Sequence, residues 1–182
     1  MNLSAHYLEE IRRQFHGYKR LADGALAQIS EEEFFRELDP ESNSIAIVVK
    51  HMAGNMRSRF TDFLTSDGEK PDRNRDQEFE IGPDADRKAF LKSWEQGWKA
   101  LSDTIDALKP EDLERTVMIR SEAHSVLQAL NRALAHLAMH VGQIIYLAKY
   151  FRSDKWATLS VPRGKTDEFN AKMREKHVAP KA

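Results

Sequence analysis

A chain of 182 residues with 41% hydrophobic and 31% charged residues has the length of one domain and enough apolar content for a sizeable core. Its formal net charge of -1, from 28 basic and 29 acidic residues, supplies no overall field for a phosphate backbone or an anionic membrane, so neither nucleic acid nor membrane is an expected partner. Cysteine is absent, which excludes a disulfide scaffold, a thiolate metal site and a cysteine nucleophile from this chain. No apolar run approaches the roughly 18 residues of a membrane span. Met1 to Arg13 mixes Glu9, Glu10, Arg12 and Arg13 into an amphipathic pattern where a signal peptide would need an apolar stretch, so a cytoplasmic location is expected.

The first helix is expected over about Leu3 to Ile29, because Leu8, Ile11, Phe15, Tyr18, Leu21, Leu26 and Ile29 recur at three- and four-residue steps. Ser30 and Glu33 have the spacing of a capping box, which predicts a short helical turn through Phe34 and Phe35. Asp39-Pro40 ends that turn. A second long helix starts at Asn43 or Ser44 and runs to about Leu64, with Ile45, Val48, Val49, Met52, Met56, Phe60 and Phe63 on one stripe. The polar stretch 66–84 follows. It is long for a connection within a compact domain, and such loops are usually functional lids or partly disordered.

The third helix spans about Ala85 to Leu108, with Trp94 and Trp98 on its inner face. Pro110 opens a brief turn, and Thr116 to Arg120 alternates like a short strand. The fourth helix, about Ser125 to Arg152, is the most strongly patterned segment. Residues 153–182 form a Lys-rich C-terminal extension in which Phe169 is the one docking candidate and the end is expected to fray. Burying four amphipathic stripes predicts an all-α fold, an antiparallel up-and-down four-helix bundle over one domain, 1–182.

His136 and His140 lie four residues apart on the fourth helix (HLAMH). At about 100° per residue the second ring sits about 40° round the axis and one turn on, so both can address one ion. They sit at the edge of the apolar stripe, roughly 100° from its centre, where a side chain faces a cleft. The pair lacks the glutamate of HExxH, so the zinc-protease reading fails. An isolated pair of this kind also fits a half-exposed face that binds nothing. His51 has the same edge position on the second helix, with Asn55 one turn further on. Spacing alone does not join His51 to the other two. His6, His16 and His177 read as surface residues, and His124 as a weaker pocket candidate.

The segments NSIAIVVKHMAGNMRSRF and NRALAHLAMHVGQIIYLAKY resemble the DinB-like superfamily, which includes bacillithiol transferases and a mycothiol-dependent isomerase. They are most similar to a bacterial branch with the same KH.AGN and H…HVGQI motifs and a C-terminal RGK…FN, here Arg163-Gly164-Lys165 and Phe169-Asn170. The resemblance covers nearly the whole chain. It implies one divalent metal ion held by His51, His136 and His140, and a homodimer. It implies no particular substrate.

Three neutral imidazoles suit zinc or nickel and leave a coordination position open. That position can take water or ionise an incoming thiol. With no cysteine in the chain, a nucleophilic sulfur would come from a low-molecular-weight thiol. Asn55, Gln143 and Arg132 lie on the ligand flanks and are the candidates for a second shell or pocket wall, Arg132 as a carboxylate holder. Three readings stay open on these residues: a metal-dependent thiol transferase or hydrolase acting on a small molecule, a non-catalytic metal-binding or stress-related interaction protein, and a bundle without metal.

Overall fold

The structure, a computed structural model, describes residues 2–178. The last four residues of the expected extension, 179–182, lie outside the described residues. Four long helices carry the fold: α1 (Leu3–Leu26), α3 (Ile45–Phe60), α4 (Arg87–Ala107) and α5 (Val126–Arg152). A one-turn helix α2 (Glu31–Phe35) precedes α3, a hairpin of β1 (Thr116–Ile119) and β2 (Glu122–Ser125) precedes α5, and α6 (Thr166–Val178) lies in the extension. Phe169, in α6, is 42% exposed and does not dock into the core.

The starts of these helices follow from their caps. Ser30 and Glu33 form the expected capping box, and Ser125 and Gln128 form a second one at α5. Ser44 caps α3 through Ile47 N. The second helix stops at Phe60, four residues earlier than its apolar pattern, and Asp62 adopts φ 48° in the turn that follows. α1 touches α4 and α5, and α3 touches the same two, so the four helices close a ring around one core. Trp94, Trp98, Phe34, Leu8, Met52, Leu130 and Ile144 are among its fully buried side chains.

The mostly all-α class is as expected, but the helices do not simply alternate in direction. Arg12 near the start of α1 donates to Ile105 O (2.9 Å), and Arg87 at the start of α4 donates to Leu26 O (2.8 Å), so α1 and α4 are antiparallel. α3 and α4, in contrast, run the same way. A Cβ on Gly97 would lie 3.0 Å from Ala53 Cα, and seven residues further along both helices Thr104 Oγ1 donates to Phe60 O (2.7 Å). α1 and α5 are parallel too, joined at one end by Tyr7 to Asn131 and at the other by Gln28 to Ala157. The directions are therefore up, down, down, up. Residues 61–86 are long enough to return along the roughly 24 Å of α3, whereas a short loop would have forced α4 antiparallel.

The TVMI strand exists because β2 pairs with it, Thr116 opposite Ser125 through Ile119 opposite Glu122. Its tip, Arg120 and Ser121, has φ 56° and 62°, the left-handed pair of a two-residue hairpin usually built from Asn-Gly. For such side chains this costs about 1–2 kcal/mol per residue. Asp67 compensates by accepting the N–H of Arg120 (2.8 Å) and of Ser121 (2.7 Å). Among the described residues no helix is long and apolar enough to cross a membrane.

Candidate metal centre

The antiparallel packing of α3 against α5 brings His51, His136 and His140 together. His51 Nε2 lies 3.3 Å from His136 Nε2, and His140 Nε2 lies 3.1 Å from the same atom. A tetrahedral ion with Zn–N bonds of about 2.0–2.1 Å separates two nitrogen ligands by about 3.3 Å. The His51–His136 and His136–His140 pairs are thus already at the spacing of a shared ion, and all three ligand atoms lie within 4.8 Å of one another.

The other ring nitrogens decide which lone pairs are free. Glu78, as a carboxylate, can only accept, so His51 Nδ1–H donates to its Oε2 (2.8 Å). His140 Nδ1–H donates to the amide oxygen of Gln143 (2.7 Å). Both Nε2 atoms consequently present lone pairs toward His136, which has at most one Nε2 proton to share between them. A cation satisfies all three lone pairs, and the donor set therefore fits a divalent ion.

Glu78 is supplied by the long connection. A 3-10 turn at Asp76–Phe79 turns its side chain inward, and Arg73 grips it with two parallel bonds, Nε to Oε1 (2.8 Å) and Nη2 to Oε2 (2.9 Å). Both partners are buried, at 4% and 8% exposure. Phe79 places its ring 5.0 Å from that of His51, and Arg75 lies over Phe79. Lys50 donates to the carbonyls of Gln77 and Glu80 and so ties the turn to α3.

This accounts for four positions of the KHMAGN motif. Lys50 pins the turn, His51 faces the ion site, and Ala53 meets Gly97 across the α3–α4 contact. Gly54 leaves the space into which Glu78 reaches, since a Cβ there would fall 2.2 Å from Glu78 Oε1. Gly54→Ala should therefore displace Glu78 and weaken metal binding by roughly 10- to 100-fold, the range for loss of an outer-shell partner. Competition with a chromogenic chelator would measure it, and an unchanged affinity would contradict the assignment.

Burial, reinforced by the charge of His140 and His51 and then of Arg73 and Arg59, lowers the His136 pKa to about 4. His140 is also lowered, by burial and the charge of His51, against a bond from Gln143 that favours its charged form. For Glu78, burial alone would raise the pKa, but the hydrogen bonds from His51 and Arg73 and the charge of Arg73 hold it below the ordinary carboxylate value. At neutral pH His136 and His140 are thus neutral and Glu78 is ionised, as ligands and a buttress for a metal must be.

The sign of the pH dependence follows. His136 titrates near 4 when folded and near 6.5 when unfolded, so the unfolded chain takes up the proton first as pH falls. The metal-free protein should lose stability between about pH 6.5 and 4 through His136, and Glu78, whose pKa is lowered from 4.5, extends the loss to more acid pH. Thermal melts in chelator across that range check this, with a flatter profile expected for His136→Asn.

Of the other candidates, Asn55 and Arg132 line a cleft of about 250 Å³ that opens beside His51 and His136. Gln143 is exposed and orients His140. His124 bonds its own strand through Glu122 O and does not line this cleft. His6 and His16 are exposed. Sequence reasoning missed Glu78, Arg73 and Phe79, for which the unusual length of 66–84 was the available signal, and Arg59 and Arg120, for which there was none.

A family model described as "Protein of unknown function (DUF1572)" matches residues 2–165. The chain belongs to the DUF1572 family. No curated protein and no solved structure matches it. The DUF1572 match includes all three histidines, Arg73, Glu78 and the cleft, and it ends just before α6.

Proposed function

We propose that this DUF1572 protein is a divalent-metal-dependent enzyme that uses His51, His136 and His140 as ligands for zinc or nickel. In this reading it is a transferase acting with a low-molecular-weight thiol. The observation that carries the reading is the convergence of three Nε2 atoms, two on rings whose Nδ1 is already engaged, beside a cleft that His51 and His136 line. A purely structural zinc site would close its fourth position with a protein ligand, commonly cysteine, and this chain has none. When bound, the ion supplies Lewis acidity that lowers the pKa of a thiol or water entering from the cleft.

The chain's own residues do the rest. Glu78 and Gln143 hold His51 and His140 in the tautomer that binds metal, Phe79 shields the His51 ring, and Asn55 offers an amide to whatever occupies the cleft. The choice of a thiol over water as nucleophile draws on the resemblance of KHMAGN and HLAMHVGQI to the DinB-like superfamily. The test is a screen of metal-loaded protein for conjugation of small thiols to aryl halides and epoxides, with ester and amide hydrolysis read alongside. Turnover that disappears on chelation supports the proposal. Full metal content without turnover across that panel would instead assign a non-catalytic metal-binding role.

A further inference from the structure

The cleft beside the histidines is lined by Arg59, Arg73, Arg75, Arg120 and Arg132, and by no aspartate or glutamate. The chain as a whole carries a formal charge of -1, so this concentration is local. Two carboxylates stand behind it. Glu78 is taken by Arg73 and His51, and a single oxygen of Glu69 is shared by Arg59 (3.0 Å), Arg120 (3.1 Å) and Arg73 (3.4 Å). Neither Arg75 nor Arg132 has an ion-pair partner among the described residues, and Arg59 Nη1 is buried without any hydrogen-bond acceptor. Burial presses the Arg59 pKa down, and the charges of Arg73 and Arg120 add to that effect while Glu69 opposes it. The arginines therefore repel one another across a space that these carboxylates only partly neutralise.

Arg120 is held there by an unfavourable backbone. It occupies the left-handed hairpin tip that Asp67 clamps through two N–H bonds. Strain that the surroundings maintain in this way is a mark of functional sites. Beyond the arginines, Asn55 and the two histidines, the wall is apolar, with Phe60, Phe63, Met118 and Ile119. Convergent polar groups beside an apolar wall fix the orientation of a small molecule while the wall takes up its apolar body.

We infer that this cleft binds a small anionic molecule, carboxylate- or phosphate-bearing with an apolar body, whose charged end sits on Arg59, Arg120 and Arg132. Its other end then lies beside His51 and His136, a placement that makes it the substrate or thiol cosubstrate and rests on the function proposed above. Guanidinium groups suit either anion through paired N–H bonds.

Calorimetric titration of phenylacetate and of phenyl phosphate, with 2-phenylethanol as uncharged control, tests the inference. It is run on metal-loaded protein, on chelator-stripped protein and on Arg120→Ala and Arg132→Ala variants. At least one anion should bind and the alcohol should not, and the preferred anion identifies the head group. Each arginine variant should bind it roughly tenfold more weakly at unchanged metal content. Both substituted positions are exposed, so the fold should survive. Equal binding of alcohol and anion, no binding of either anion, or unchanged affinity in both variants would overturn it. Loss of anion binding on stripping would also overturn it, since the anion would then have sat on the metal alone. A protein that purifies without metal yet binds the anion defeats the proposed function and leaves this inference standing.

Discussion

His51→Ala and His140→Ala proteins should purify with only traces of metal, where the wild type carries close to one equivalent. Each substitution removes one of three nitrogen ligands that lie within 4.8 Å of one another. The remaining pair cannot complete the site, because no other His, Asp or Glu among the described residues joins that group. Added zinc or nickel should also stabilise only the wild type. At a free concentration a hundredfold above Kd the linkage amounts to about 2.7 kcal/mol. For a chain of this size that is a rise in Tm of roughly 5–10 °C. Elemental analysis and melts with and without chelator read both effects. Equal metal in wild type and both variants would eliminate the triad.

The second large effect belongs to Glu78. Glu78→Gln keeps the shape but removes the charge, and metal affinity should fall by roughly 10- to 100-fold because His51 loses the partner that fixes its ring and tautomer. Glu78→Ala should do more. It leaves Arg73, only 4% exposed, with one longer contact to Glu69 at 3.4 Å. Breaking a buried pair from one side typically costs about 3–5 kcal/mol. The alanine variant should therefore melt well below the glutamine variant. If Glu78 were a mere surface acid, both variants would match the wild type in stability and in metal affinity, and denaturant unfolding with chelator competition separates these outcomes.

The histidine pair on α5 was legible because it depends on helix geometry alone: two residues four apart share a face wherever the helix lies. Joining His51 to that pair required an α3–α5 contact that no spacing encodes. The motif resemblance supplied it, and the packed helices show the distances. Glu78 was illegible for a different reason. It lies 27 residues from His51 in a segment without periodicity, and its inward turn depends on Arg73, on Lys50 and on the space left by Gly54. The unusual length of 66–84 was visible, whereas the role of its residues was not.

The direction of α4 shows the same division. Its apolar stripe, with Trp94 and Trp98, specifies a buried helix whichever way it runs, and simple alternation was the natural expectation. The long connection permits the parallel arrangement with α3, and the close approach of Gly97 to Ala53 accommodates it. The existence of the long helices, their caps and the chemistry of the three imidazoles were thus determined by the sequence itself, since these follow from local periodicity and side-chain type. Which histidines meet, what holds their rings, and which arginines surround the adjoining cleft were decided only by the tertiary structure, because they depend on contacts between segments far apart in the chain.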